Sequence, residues 1–383
     1  MIRFLTAGES HGKALVGIIE GLPSQLEIDL DELFFQMKRR KLGYGRGFRQ
    51  KIETDEVEIL SGVRHGKTLG SPISLLIWNR DWENWKETMG VESIEGIASR
   101  QVTIPRPGHA DYIGGVKYKH TDLRNVLERA SARETAMRVA LGAVCRQFLE
   151  VLGVSIGSRV TQIGSVKDLT DFEFSVSQMN SKADESVVRC IDSLAEEKMV
   201  GEIETARVKG DSVGGVFEVW GDGLPKGLGS YSQWDRRLES SIGQSFLSLN
   251  AIKGVEIGAG FSLAENYGSH VHDPLSIKKE KVALDSNFSG GITGGMSTGQ
   301  PIVVRAAMKP IATLKNPLES VNLKNMKAAS AHVERSDVCA VPAAAVIGES
   351  LLALSLSQFI LEKFGGDSID EIHERVREWN EKS

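Results

Sequence analysis

Residues 8–23 read Gly8-Glu9-Ser10-His11-Gly12-Lys13-Ala14-Leu15-Val16-Gly17-Ile18-Ile19-Glu20-Gly21-Leu22-Pro23. The same shape returns as Gly210-Asp211-Ser212-Val213-Gly214, followed over the same length by Asp222-Gly223-Leu224-Pro225. Each copy is a small polar turn, an apolar run and a Gly-Leu-Pro break. Three further pairs keep the same order. Arg39-Arg40 answers to Arg236-Arg237, and Val57-Glu58-Ile59 to Val255-Glu256-Ile257. Glu128-Arg129-Ala130-Ser131 answers to Glu334-Arg335-Ser336-Asp337, each ahead of a long apolar helix. Matches at a spacing of roughly 200 residues predict an internal duplication. The competing reading is chance recurrence of short glycine-rich words. Strand order decides between them, since unrelated halves have no reason to share it. The expectation is one domain over 1–383, with pseudo-repeat halves at about 1–152 and 203–365.

Elements extend outward from this repeat. Asp29 and Glu32 open an amphipathic helix that Gly43 stops. Val57–Leu60 and Ile73–Trp78 read as strands, and His120–Ala130 as a short helix. A longer helix runs from Arg133 to about Leu152, with Ser131 and Glu134 as its capping box. Alternation predicts strands at Val154–Val166, Glu202–Val208 and Val216–Trp220. A helix over Gln233–Leu249, a strand over Val255–Gly260 and a charged helix over Asp367–Lys382 complete the reading. The polar stretch Lys167–Asp184 is expected to be a mobile insertion.

Composition narrows the function classes. Glycine supplies 40 of 383 residues with only 10 prolines, and no fixed period, which excludes collagen and Pro/Gly-rich disorder. The glycines therefore mark turns and close backbone approach inside a folded chain. A net charge of −5 argues against a dedicated nucleic-acid or membrane-surface binder. Cys145, Cys190 and Cys339 lack metal or disulfide spacing, which reads as a reducing, cytoplasmic setting. The N-terminus reaches Glu9 too early for a signal peptide. Val338–Leu361 carries Pro342, Glu349 and serines, and reads as a buried helix rather than a membrane span.

Five segments could carry chemistry. Lys38–Lys51 packs seven cations onto a helix end and a Gly-rich loop, suited to phosphate or, alternatively, to RNA with aromatic stacking. Arg106-Pro107-Gly108-His109-Ala110-Asp111 sets Arg, His and Asp in a stiff turn. His109 is either a general acid or a turn histidine bonded to Asp111. Glu128–Thr135 is a helix start with two arginines, a ready anion site. Gly8–Gly12 imitates a serine-hydrolase elbow, but its second copy lacks the histidine and looks architectural. Asn287–Gly299 is glycine-dense yet fits neither dinucleotide nor P-loop patterns. His270-Val271-His272-Asp273 comes nearest to a metal site and reads as a surface loop; no metal is expected.

Together, Gly8–Gly12, Arg39–Arg49, Arg106–Asp111, Arg129–Glu134, Asp211–Gly215, Asn250-Ala251, Asn287–Gly299, Lys309–Thr313 and Arg335–Asp337 resemble chorismate synthases, over nearly the whole chain and in family order. The resemblance implies an α+β fold, a β-α-β sandwich of antiparallel sheets around a helical layer, not Rossmann or flavodoxin-like. It implies a cytoplasmic homotetramer that turns 5-enolpyruvylshikimate 3-phosphate into chorismate and phosphate. This anti-1,4-elimination needs reduced FMN without net redox change. NADPH serves some members as reductant. No nucleic-acid or membrane partner is implied. His11 would protonate the leaving phosphate, His109 would act near flavin N1, and Asp337 would help N5 accept the substrate proton. FMN would contact Arg129, Ala130, Ser131, Asn250, Ala251, Gly294, Lys309, Pro310, Ile311, Ala312, Thr313 and Arg335. Arg40, Arg46, Arg49, Arg106 and Arg133 would hold substrate or NADPH. The last motif is Arg335-Ser336-Asp337, where many relatives carry Arg-His-Asp.

Overall fold

The computed structural model describes residues 2–47, 52–93, 96, 99–170 and 175–382. One sheet is built from β1 (Arg3–Ala7), β2 (Ala14–Glu20), β3 (Val57–Ser61) and β4 (Ile73–Trp78). Its spatial order is β1-β2-β4-β3, antiparallel throughout. A second sheet contains β5 (Ser155–Ile163), β6 (Gly215–Asp222), β7 (Ile252–Ile257) and β8 (Ile302–Met308), with the short strand Val166–Lys167 outside β5. Its order is β5-β6-β8-β7, again antiparallel. The two orders are the same when β5 is set against β1. The strand β5 lies upstream of the 203–365 span.

Helices lie against both sheets. The longer ones include α1 (Leu30–Lys41), which packs on two other helices, α2 (Thr135–Val151), α3 (Ser193–Lys209), α4 (Leu238–Leu247) and α5 (Val341–Phe364). Alternation aims Ile73, Leu75 and Ile77 of β4 inward, where α2 covers β2 and β4. Likewise α5 covers β5 and β6. The helices α2 and α5 pack on each other, and Gly142 makes this possible. A Cβ built on Gly142 would come within 2.3 Å of the Ser350 Cβ, so only glycine admits this crossing. Helix α5 is apolar around its circumference and buried from Val341 to Leu361 apart from Gln358. By length and composition it resembles a membrane span, yet its surroundings are protein; it is the core helix.

Three expectations differ from the structure. Glu202–Val208 belongs to α3, not to a strand. Ile203, Ala206 and Val208 are interspersed with polar residues, but Ala195, Met199, Ile203 and Ala206 recur at helical spacing and are the buried positions. The Lys167–Asp184 stretch contains a helix, Val176–Glu185, which buries Val176, Met179 and Ala183 against β5. Residues 171–174 of that stretch lie outside the described residues. At the start of α2, Ser131 Oγ accepts from Arg133 N–H at 3.2 Å. Glu134 does not reach back; its carboxylate pairs with Arg138 at 2.8 Å.

Candidate active site

One cavity of about 440 Å³ opens where the two sets of elements meet. Its walls come from the β1–β2 turn, the end of α1, the 106–110 turn, the approach to α2, the α4–β7 turn, the segment after β8 and the approach to α5. The volume is in the range of small-molecule sites. Six cations line it (Arg40, Arg46, Arg106, Arg133, Lys309, Arg335) against three carboxylates (Glu53, Glu334, Asp337). The excess positive charge suits an anionic ligand even though the chain is acidic overall.

Each histidine of the cavity carries a buried carboxylate on Nδ1. For His11 this is Glu128, with Oε1 at 2.9 Å and Oε2 at 3.0 Å. The His11 backbone N–H also donates to Glu128 Oε2 at 2.8 Å. A carboxylate only accepts, so Nδ1 holds a hydrogen and Nε2 is the ring nitrogen left for the cavity. Burial pushes the Glu128 carboxyl up, but the bonds from His11 and Arg124 reverse this and hold it below the ordinary carboxylate range. For His109 the partner is Asp111, at 2.6 Å. Arg106 grips the same carboxylate through Nε at 2.8 Å and Nη2 at 3.0 Å, and reaches Thr313 through Nη1 at 2.8 Å. Burial pushes Asp111 up; the bonds from His109 and Arg106 overcome it and leave the carboxyl strongly acidic. His109 is thus both the turn histidine bonded to Asp111 and a cavity residue.

The arginines are held in the same way. Asp55 is buried with φ 58°, and it bridges Arg40 and Arg133. Arg133 also donates to Asn79 at 3.0 Å. Burial, joined by the charges of Arg133 and Arg46, draws Arg40 down to about 10, so it is still a cation at neutral pH. Arg46 donates to Asp337 Oδ2 at 2.7 Å, and the Gly47 N–H to Oδ1 at 2.6 Å. Arg335 donates to Asp81 at 2.8 Å, and Lys309 Nζ to the Gly108 carbonyl at 2.5 Å. Ser10 Oγ donates to Ser131 Oγ at 3.1 Å.

The cavity therefore gathers His11, His109, Asp337, Ala130, Ser131, Asn250, Ala251, Lys309, Ile311, Ala312, Thr313, Arg335, Arg40, Arg46, Arg106 and Arg133. Arg129 does not line it; its guanidinium holds the Gly8 and Thr6 carbonyls at 3.0 and 2.8 Å. Gly294 sits on an exposed hairpin turn, and Pro310 is exposed beside the lining segment. Arg49 lies outside the described residues. Arg39 and Arg40, part of the basic segment, are buried in ion pairs and do not form an exposed basic strip. Among the described residues, no group of three His, Cys, Asp or Glu could hold a metal ion.

Sequence reasoning missed the supporting residues. Asp55, Asp81 and Trp85 belong to no motif in the sequence, and Glu128 belongs there only to a helix start. Two tryptophans within four residues, Trp82 and Trp85 directly after β4, were the one available signal.

Two buried polar atoms of the wall, Arg46 Nε and Asn250 Oδ1, have no hydrogen-bond partner among the described residues. An unpaired buried polar group costs about 1–3 kcal/mol, so a ligand with both an acceptor and a donor is favoured there.

Comparison with known proteins follows the geometry. The family model described as chorismate synthase matches residues 2–361. The chorismate synthase of Aquifex aeolicus (strain VF5) is 51% identical over 386 residues, covering 99% of this chain and 97% of that protein. That of Desulforudis audaxviator (strain MP104C) is 53% identical over 383 residues, covering 100% and 98%. A crystal structure of chorismate synthase matches with TM-score 0.81 at 42% identity, covering 100% of this chain and 98% of that one.

Proposed function

The chain belongs to the chorismate synthase family, and from that premise we propose how its cavity serves the reaction. The protein is a lyase of the shikimate pathway and catalyses its final step, from 5-enolpyruvylshikimate 3-phosphate to chorismate and phosphate. The observation that carries the reading is the pair of carboxylate-backed histidines in one arginine-lined cavity.

Reduced FMN fits the wall. Asn250 Oδ1 is an unused buried acceptor and Arg46 Nε an unused buried donor. A flavin offers both an N–H and carbonyl oxygens, and a phosphate for the cations. Ala130, Ser131, Asn250, Ala251, Lys309, Ile311, Ala312, Thr313 and Arg335 would hold it. The chemistry it supplies when bound is transient electron donation that assists loss of phosphate, with no net redox change. The chain's own residues do the rest. Arg40, Arg106 and Arg133, fixed by their counterions, bind and orient an anionic substrate. His11 donates a proton from Nε2 to the departing phosphate, and Glu128, bonded to Nδ1, keeps Nε2 turned toward the cavity. His109, held by Asp111, keeps a proton at the flavin edge. Asp337 helps move the substrate proton. Arg129, Gly294, Pro310 and Arg49 are expected to bear on the ligands from outside the described lining.

We also read the packing as a β-α-β sandwich of two related halves, about 1–152 and 203–365. The shared strand order supports a repeat, with β5 falling between the two spans. A cytoplasmic homotetramer is the assembly the family resemblance implies, and large apolar side chains such as Trp234 and Phe261 are exposed on this chain.

The decisive experiment is an anaerobic assay with 5-enolpyruvylshikimate 3-phosphate and chemically reduced FMN, then with oxidised FMN and NADPH. Turnover in the first alone means an outside reductase is needed; turnover in both means NADPH is used directly. No chorismate in either rejects the reading. For Asp337→Asn, FMN titration followed by flavin absorbance is expected to give near-normal affinity. Its turnover is expected to fall by about 10²-fold, the scale of a lost acid–base group. Loss of FMN binding instead would recast Asp337 as a prop for Arg46.

A further inference from the structure

His11 has two side-chain torsions, and both are held. Glu128 takes the ring Nδ1 and the backbone N–H of the same residue. Over the ring lies the indole of Trp85, 3.9 Å between centroids and 23° from parallel. Trp85 is buried and does not line the cavity. It ends the short 3₁₀ turn Arg80–Asn84 that follows β4. Its Nε1 donates to Asp81 Oδ2 at 3.2 Å, and the same oxygen accepts from Arg335 at 2.8 Å. The guanidinium carbons of Arg100 and Arg124 lie 4.2 and 5.0 Å from the indole centroid. Arg124 also donates to Glu128 at 2.9 Å.

These contacts close on themselves. Arg124 supports both groups that support His11, and Asp81 ties Trp85 to Arg335, a cavity cation whose side chain is half exposed. A stacked aromatic pair gains energy beyond its burial, which favours one orientation of the imidazole plane. We propose that Trp85 is a positioning residue for His11, setting the imidazole plane so that Nε2 is held toward the cavity, with Asp81 linking that setting to Arg335. The inference rests on His11 being the proton donor.

The test compares Trp85→Leu, which removes the aromatic face, with Trp85→Phe, which restores it without the indole N–H. Trp85→Leu is expected to lower kcat by roughly 10–100-fold with KM within about twofold, the pattern of misplacement rather than lost binding. Trp85→Phe is expected to stay within about threefold of the natural enzyme, the residual loss reporting the bond to Asp81. In a His11→Gln background, Trp85→Leu is expected to add nothing, because the two act as one unit. A readout independent of turnover is the NMR signal of the His11 ring protons in the flavin-free protein. The stacked indole shifts them upfield; the shift is expected to vanish in Trp85→Leu and persist in Trp85→Phe. Near-normal kcat in Trp85→Leu, an equal loss in the His11→Gln background, or unmoved ring signals would each overturn the proposal. Near-normal turnover of His11→Gln alone overturns the donor reading instead, and the ring signals still decide whether Trp85 orients His11. If Trp85→Leu does not fold, Trp85→Met fills similar volume without a ring and carries the same expectations.

Discussion

His11→Ala is expected to lower turnover by about 10²–10⁴-fold at saturating substrate and reduced FMN, the range set by loss of a positioned proton donor. Phosphate is a poor leaving group until it is protonated, and Nε2 of His11 is the ring nitrogen that Glu128 leaves for the cavity. Substrate binding is expected to suffer far less, because the orienting cations keep their own partners, Arg40 and Arg133 on Asp55 and Arg106 on Asp111. Glu128 also keeps Arg124 at 2.9 Å, so the substitution leaves no naked buried carboxylate. The measurement is single-turnover chorismate formation under anaerobic conditions, with KM determined beside kcat. Unchanged turnover removes His11 from the mechanism; a loss confined to KM makes it a binding residue.

The second large effect lies behind the cavity. Glu349 is on core helix α5, 2% exposed, and takes Arg39 through both guanidinium nitrogens at 2.6 and 2.9 Å. Arg146 at 2.7 Å and the Ser158 hydroxyl at 2.5 Å add to it, and Arg189 lies at 3.3 Å. Glu349→Gln strips the central anion from three guanidiniums and leaves Asp184 and Glu150 at the margins. Breaking a buried pair on one side costs about 3–5 kcal/mol, and a drop of that order is expected in denaturant unfolding at pH 7. The pH dependence has a definite sign. Burial pushes the Glu349 carboxyl up, but Arg39, Arg146 and Arg189 bring it down to about 2. A depressed carboxyl contributes stability above its unfolded-state value and loses it as pH falls toward the folded one. The gap between natural protein and variant is therefore expected to narrow from about pH 4.5 toward pH 2. A gap independent of pH would mean that lost packing, not lost charge, sets the cost.

Two of the four strands of the first sheet, β3 and β4, were legible; in β4 Ile73, Leu75 and Ile77 alternate with residues on the other face, the period of a half-buried strand, whereas β1 and β2 carried no such reading. The stretch 202–208 misled because seven residues are too few to separate a period of two from one of 3.6; Met199 lay outside the window that suggested a strand. Most cavity residues were legible by type, since phosphate and carboxylate ligands call for arginine and proton transfer for histidine. Their counterions from distant parts of the chain were not. Asp55 meets Arg133, Glu128 meets His11, and Asp81 meets Arg335 across long separations in the chain. Such pairings depend on how elements approach one another, which no local pattern records. Trp85 was hidden for the same reason: its face against His11 is a product of the fold.

Arg40 and Arg133 share Asp55, Arg46 sits on Asp337, Arg106 on Asp111, and Arg335 on Asp81. This arrangement constrains how the pocket can change through descent. Replacing one member strands a buried charge, so single steps pass through a damaged intermediate, while both members must alter together to reach a sound one. Neutral drift is thereby closed off around the ligands, and any new specificity would have to enter through uncharged parts of the wall such as Ala130, Ala251, Ile311 and Ala312.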